Sequence, residues 1–139
     1  YAYVCDFPSN LIKDHPRVMA LPHLGASTQE AEDNCARMVS RSVRDYLLSG
    51  NIDHSVNFPE VIMPLTRAFR LGIVNANVPN MVGQISTTLA RANLNISDLL
   101  NKSKEQIAYT LLDLDSEVPQ SVLDEIAAIE GVLAVRAIA

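Results

Sequence analysis

The sequence predicts an α+β protein: an antiparallel sheet with two helices on one face, preceded by a strand-loop-strand-helix segment. Three observations predict it. From residue 68 onward, apolar residues alternate as in strands or recur at three- and four-residue spacing as in helices. They do so in the order strand, helix, strand, strand, helix, strand, which right-handed crossovers turn into an antiparallel sheet under two helices. Residues 51–67 break the pattern, with Pro59 and Pro64 in a stretch of mixed polarity, and so read as a linker between domains. The expected division is 1–50, a linker over 51–67, and a second domain over 68–139.

Tyr1–Phe7 reads as an apolar strand with no methionine or cap before it, so the chain is expected to be a piece of a longer protein. Val18–Leu21 is a second strand after a polar loop carrying Pro8, Asn10, Asp14 and Pro16. A helix follows. Ser27 with Glu30 three residues on makes a capping box, and Ala31, Cys35, Met38, Val39, Ser42, Val43 and Tyr46 make one apolar stripe. Gly50 is the expected stop.

In the second half, Ala68–Asn75 is a strand with Phe69, Leu71 and Ile73 on one face. Pro79 is expected at the first position of a helix that buries Met81, Val82, Ile85 and Leu89. Leu94–Leu100 and Ile107–Leu114 are strands around a polar turn over 101–106. Pro119 opens a helix with Val122, Ile126 and Ile129 inward, and Val132–Ile138 is the last strand after Gly131. The arrangement is ferredoxin-like, βαββαβ.

Composition narrows the partners. The 139 residues are 48% hydrophobic and 19% charged, which is globular rather than disordered. Net charge is −5 and the 11 basic residues are scattered, so no nucleic-acid partner is expected. No apolar run reaches membrane-span length. Cys5 and Cys35 are too few and too far apart for a disulfide framework or metal site, and read as buried, reduced thiols of a cytoplasmic protein.

The run Leu21–Cys35, LPHLGASTQEAEDNC, resembles the stretch around the catalytic histidine of D-isomer-specific 2-hydroxyacid dehydrogenases. Pro22-His23, Gly25, Ser27-Thr28 and Glu30-Ala31-Glu32 carry the likeness. Ser55–Val61 is similar to the segment leading out of the catalytic core in the phosphoglycerate dehydrogenase branch of that family. Arg70–Ala139 resembles an ACT regulatory domain. There Asn75-Ala76-Asn77-Val78-Pro79, and Asn95 opening the next strand, fit the serine-binding version.

That resemblance implies an NAD-dependent enzyme oxidising 3-phosphoglycerate to 3-phosphohydroxypyruvate in L-serine biosynthesis, inhibited through its ACT domain. His23 is implied as general acid–base, and Asp6 and Gly25 as cofactor-side residues. The glycine-rich nucleotide loop and substrate arginine are implied upstream of Tyr1. No GxGxxG occurs in the chain, so NAD is not expected on it alone, nor is dehydrogenase activity. The family pairs the histidine with a glutamate in the loop after the Asp6-Phe7-Pro8 region. No glutamate precedes Glu30 here, so either Asp14 or another group serves as the partner or the dyad is incomplete.

For the effector, a zwitterion needs donors and acceptors close by, and an asparagine side chain carries both. Asn75 and Asn77 stand at a strand end beside the start of a helix, where free N–H groups gather. The resemblance implies that Asn77 and Asn95 bind L-serine or another small amino acid across a homodimer interface at strand 95–100, with Asn75 where relatives carry a ligand-contacting histidine. Asn80 stands where many relatives have glycine. The competing reading is a structural dimerisation module without effector response.

Overall fold

A computed structural model of the chain describes residues 1–67 and 69–138. Ala68, where the sequence starts the third strand, and Ala139 lie outside them. The chain divides into two compact units between Ser40 and Arg41, earlier than the 51–67 segment. Each is described by itself.

In the first unit, β1 (Tyr3–Cys5) and β2 (Val18–Ala20) pair in parallel, with Val4 opposite Met19. Parallel strands are normally covered on both faces. Here Tyr3, Val4 and Met19 are all exposed. The helix α1 (Gln29–Ser49) begins at Thr28, whose Oγ1 accepts the Ala31 N–H at 3.2 Å. The expected Ser27–Glu30 capping box does not form. The Ser27 N–H instead closes a turn onto the Leu24 carbonyl at 3.0 Å, which moves the cap on by one and puts Ala31 at the box position. No residue of α1 is buried, so its apolar stripe lies open along Met38, Val39 and Val43, and Cys35, expected to be buried, is exposed on it; Cys5, at the end of β1, is only half-buried.

The second unit holds a four-stranded antiparallel sheet in the order β4-β5-β3-β6. Its elements are β3 (Phe69–Ala76), α2 (Met81–Arg91), β4 (Ile96–Lys104), β5 (Ile107–Leu114), α3 (Gln120–Ala127) and β6 (Val132–Ile138). This is the ferredoxin-like order expected. Leu71 and Ile73 of β3 and Leu112 and Leu114 of β5 pack against Ile85 and Leu89 of α2 and Val122 and Ile126 of α3.

Two boundaries differ from expectation. Pro79 is not the first helical residue. Asn80 follows it with φ +67°, a left-handed conformation that interrupts the helical path, so α2 starts at Met81. The strand β4 runs on through residues 101–104, and the turn is only Glu105–Gln106, with Glu105 at φ +54°. The polar residues are an edge strand, not a turn: Asn101 faces Thr110 and donates to its Oγ1 at 2.7 Å.

The other face of the sheet is covered too. Ile52, Val61 and Met63 are buried against Tyr109, Leu111 and Ile138. Ile52 and Val61 exchange both backbone hydrogen bonds, at 2.8 and 2.9 Å, so the segment folds back on itself. Residues 51–67 are thus docked on the sheet rather than free. Polar fasteners hold them. Asn51 Oδ1 accepts the Met63 N–H at 3.0 Å, Lys104 donates to the Val56 carbonyl at 2.7 Å, and Tyr109 donates its hydroxyl to the Gly50 carbonyl at 2.9 Å.

Arg70 is the centre of this fastening. Its five guanidinium N–H groups meet five acceptors: both carboxylate oxygens of Asp113 and the carbonyls of Ser49, Met63 and Pro64. Gly50, at φ +71°, lets the chain leave α1 this close to the sheet. A Cβ there would lie 2.5 Å from Ile138 Cδ1 and 2.9 Å from Leu111 Cδ2.

Candidate effector and acid–base sites

His23 lies in the loop between β2 and α1, with φ +53°. Its Nδ1 is 3.2 Å from Asp6 Oδ2, and its ring packs against Phe7 with centroids 4.6 Å apart. Strand β1 ends at Cys5, so it delivers Asp6 directly to the loop. Both side chains are exposed. A carboxylate on Nδ1 fixes the ring and leaves Nε2 for proton transfer, the arrangement a general acid–base needs. The sequence left the partner of His23 open; the geometry supplies Asp6. Gly25 sits in open surroundings, where an added Cβ would meet nothing within 4 Å.

The three asparagines occupy two places. Asn75 and Asn77 are at the end of β3 that faces the β4–β5 turn, since Asn75 pairs with Ala108. Asn77 reaches that turn itself: its N–H donates to the Gln106 carbonyl and its Nδ2 to the Glu105 carbonyl, both at 2.9 Å. Asn95 precedes β4 at the opposite end of the sheet, where its Nδ2 donates to Asp115 Oδ2 at 2.6 Å. Asn77 is level with Gln106 and Asn95 with Asp115, so the two places are about 30 Å apart at a rise of about 3.4 Å per strand residue. One chain therefore brings Asn75 and Asn77 together and keeps Asn95 away from them.

Asn75 is buried. It shares the parity of Leu71 and Ile73, so it points to the helix-covered face. Its Nδ2 donates to the Ala76 carbonyl at 2.7 Å, whereas Oδ1 is buried with no partner among the described residues. Beside it opens a hollow lined by Ala76, Val78, Met81, Gln84, Glu130 and Gly131. Gln84 and Glu130 were not singled out from the sequence; only the fold puts the α3–β6 connection beside the start of α2. Asn80 also acts locally: its Oδ1 lies so close over Gly83 that a side chain at 83 would collide with it. Arg70 and Asp113 were passed over as well, although a charge inside each of two apolar strands was the signal.

Among the described residues, no group of three or more acidic, histidine or cysteine side chains could hold a metal, and no helix is long and apolar enough to cross a membrane. No family model matches the chain. It is 31% identical over 121 residues to D-3-phosphoglycerate dehydrogenase of Escherichia coli K12, covering 86% of this chain and 30% of that protein. The enzyme of the same name from Dictyostelium discoideum is 29% identical over 87% of this chain, again 30% of the relative. A putative D-3-phosphoglycerate dehydrogenase of Schizosaccharomyces pombe is 34% identical over 76% of this chain and 23% of the relative.

The chain is a relative of the D-3-phosphoglycerate dehydrogenases. It spans about a third or less of the length of these curated relatives. Similar solved structures include the ACT domain from GTP pyrophosphokinase of Chlorobium tepidum, with TM-score 0.45 and 19% identity over 50% of this chain and 95% of that one. The regulatory subunit of aspartate kinase from Thermus thermophilus has TM-score 0.41 and 14% identity over 57% of this chain and 56% of that one.

Proposed function

We propose that the chain is the L-serine-sensing part of a D-3-phosphoglycerate dehydrogenase: an ACT-type domain over 68–139, joined by 51–67 to a C-terminal piece of the catalytic core over 1–50. The observation that carries this reading is the placement of Asn77 and Asn95 at opposite ends of the sheet. Strand β4 is an edge, and its backbone groups are open to a second copy. Antiparallel pairing of two β4 strands about a two-fold axis sets the start of one beside the end of the other. Asn95 of one copy then faces the β4–β5 turn of its mate, where Asn77 is held on Glu105. Each dimer gains two sites that a single chain lacks.

In a full-length enzyme of this kind NAD would supply the hydride acceptor, and His23, oriented by Asp6, would take the substrate hydroxyl proton. Serine acts through its differential affinity for two arrangements of the enzyme. A cytoplasmic setting belongs to the same reading. The 139-residue chain alone has no turnover, because nothing in it holds cofactor and substrate in register.

One observation favours the second reading, a dimerisation module without effector response: the amide nitrogens of Asn77 and Asn95 are already engaged within the chain. A thermal-shift titration with L-serine, with glycine and L-alanine as controls, separates the two. A ligand bound only by the folded state stabilises by about 2.7 kcal/mol at a hundredfold excess over its Kd. Serine-specific stabilisation, lost in Asn77→Ala and Asn95→Ala, supports sensing. An intact dimer with no response to any of the three amino acids supports the structural module.

A further inference from the structure

Between the last turns of α1, the docked 51–58 segment and the sheet lies a cavity of about 250 Å³, different in kind from the polar surroundings of Asn77 and Asn95 and lying on the sheet face opposite the helices. Val43, Ile52 and Val74 wall it with aliphatic surface, and Phe58 and Tyr109 add rings packed edge to face with centroids 6.3 Å apart. Tyr46 contributes a third ring. Most polar groups here are spent. The Tyr109 hydroxyl is on Gly50, Asn51 Oδ1 is on Met63, and Ser55 Oγ accepts the Phe58 N–H at 3.1 Å.

One ionised side chain lines the cavity, Asp53. Its Oδ2 is 2.9 Å from His54 Nδ1, and its Oδ1 carries no hydrogen bond among the described residues. No lysine or arginine is among the lining residues; the nearby Arg136 is held by the Tyr46 and Leu47 carbonyls at 3.1 and 2.6 Å and lies over the Tyr46 ring, 5.2 Å from its centroid, which leaves the rings of Phe58 and Tyr109 for a ligand.

We propose that this cavity binds a small amine with an apolar, preferably aromatic, body: the ammonium at Asp53 and the body between Val43, Val74, Phe58 and Tyr109. An apolar hollow, open to solvent, with one carboxylate among its lining residues is a make-up that small-molecule sites share, and aromatic faces favour a cation. Asp53 repels carboxylates, which separates this ligand class from the zwitterion proposed for the asparagines.

The test uses the 139-residue chain with benzylamine, benzyl alcohol and benzoate as probes, followed by thermal shift and by nuclear Overhauser contacts to the Phe58 and Tyr109 rings. Benzylamine is expected to bind saturably and at least tenfold more tightly than benzyl alcohol, with benzoate inert. Asp53→Asn brings benzylamine down to the level of the alcohol, and Ser42→Phe, which fills the cavity from α1, abolishes both. No saturable benzylamine binding, binding that survives Ser42→Phe in a folded chain, or an equal affinity in Asp53→Asn overturns the proposal. If Ser42→Phe does not fold, absence of contacts from bound benzylamine to Phe58 and Tyr109 overturns it instead. The L-serine response, read in the same variants, is expected unchanged; its loss or absence bears on the effector reading alone.

Discussion

Arg70 and Asp113 face each other across β3 and β5 as a two-pronged ion pair, Nε to Oδ1 at 2.6 Å and Nη2 to Oδ2 at 2.8 Å, both side chains wholly buried. The remaining guanidinium protons go to carbonyls of α1 and the docked segment, so this pair closes the sheet and fastens what lies over it. Removing one member strands a buried charge, which costs about 3–5 kcal/mol. Arg70→Met is expected to lower the unfolding free energy read from a urea titration by that order, and Arg70→Lys to recover little, because an ammonium cannot reproduce the planar fork. Arg70→Met with Asp113→Leu should be more stable than Arg70→Met alone. A double variant no better than the single one would show that the carbonyl contacts, not the stranded carboxylate, set the loss.

Tyr109 gives the fold a dependence on alkaline pH. Burial pushes its phenol up from the ordinary value, with a smaller push from Tyr46. An unfolded tyrosine ionises near pH 10, before the folded one does. The stability it contributes is therefore complete below about pH 10 and declines as pH rises from there toward the raised native value. Tyr109→Phe is expected to flatten this decline while losing the hydroxyl's bond to Gly50, on the order of 1 kcal/mol at neutral pH. Urea unfolding at pH 8 and pH 11 checks both parts.

Complementation tests the shared asparagine site. Asn77→Ala and Asn95→Ala chains each form dimers with no complete site. Mixed and allowed to exchange, they make hybrid dimers in which one of the two sites has both asparagines, so roughly a quarter of all sites return under random assortment about the two-fold axis. Calorimetry with L-serine counts them. Zero recovery in verified hybrids would place both asparagines in one chain's site, against their separation of about 30 Å along the sheet.

His23 and Asp6 make a graded pair. In a full-length dehydrogenase carrying this segment, His23→Asn is expected to cost on the order of 10²–10⁴ in kcat, the usual contribution of a positioned acid–base. Asp6→Asn should cost less and leave KM nearly unchanged, because the amide still holds the ring but stabilises its charged form poorly. Equal losses for Asp6→Asn and Asp6→Ala would assign Asp6 no orienting role.

The second half was legible because each element announces itself locally. The Leu71–Ile73 alternation and the Ile85–Leu89 and Val122–Ile126 spacings all face one core. Its edges were less so. Residues 101–104 are polar because an edge strand faces water, a composition that a turn shares. The docking of Ile52, Val61 and Met63 could not be read at all: the segment has no period, and its burial is set by partners 46–86 residues away in sequence, such as Tyr109, Leu111 and Ile138. Likewise the cap of α1 moved from Ser27 to Thr28 because of a turn made by Leu24, a contact no propensity contains. His23 was recognisable from its neighbours in the chain. Its partner Asp6 was not, because only the parallel pairing of β1 with β2 brings position 6 next to position 23.

The unpartnered Oδ1 of Asn75 sets the resting protein at a disadvantage. A buried acceptor without a donor costs about 1–3 kcal/mol of desolvation. Asn75→Leu is expected to raise the melting temperature in the absence of any ligand and to weaken the response to L-serine. Position 75 would then be one where thermal robustness has been given up to keep a group waiting for its donor, so that screening for hardier variants selects chains that no longer listen.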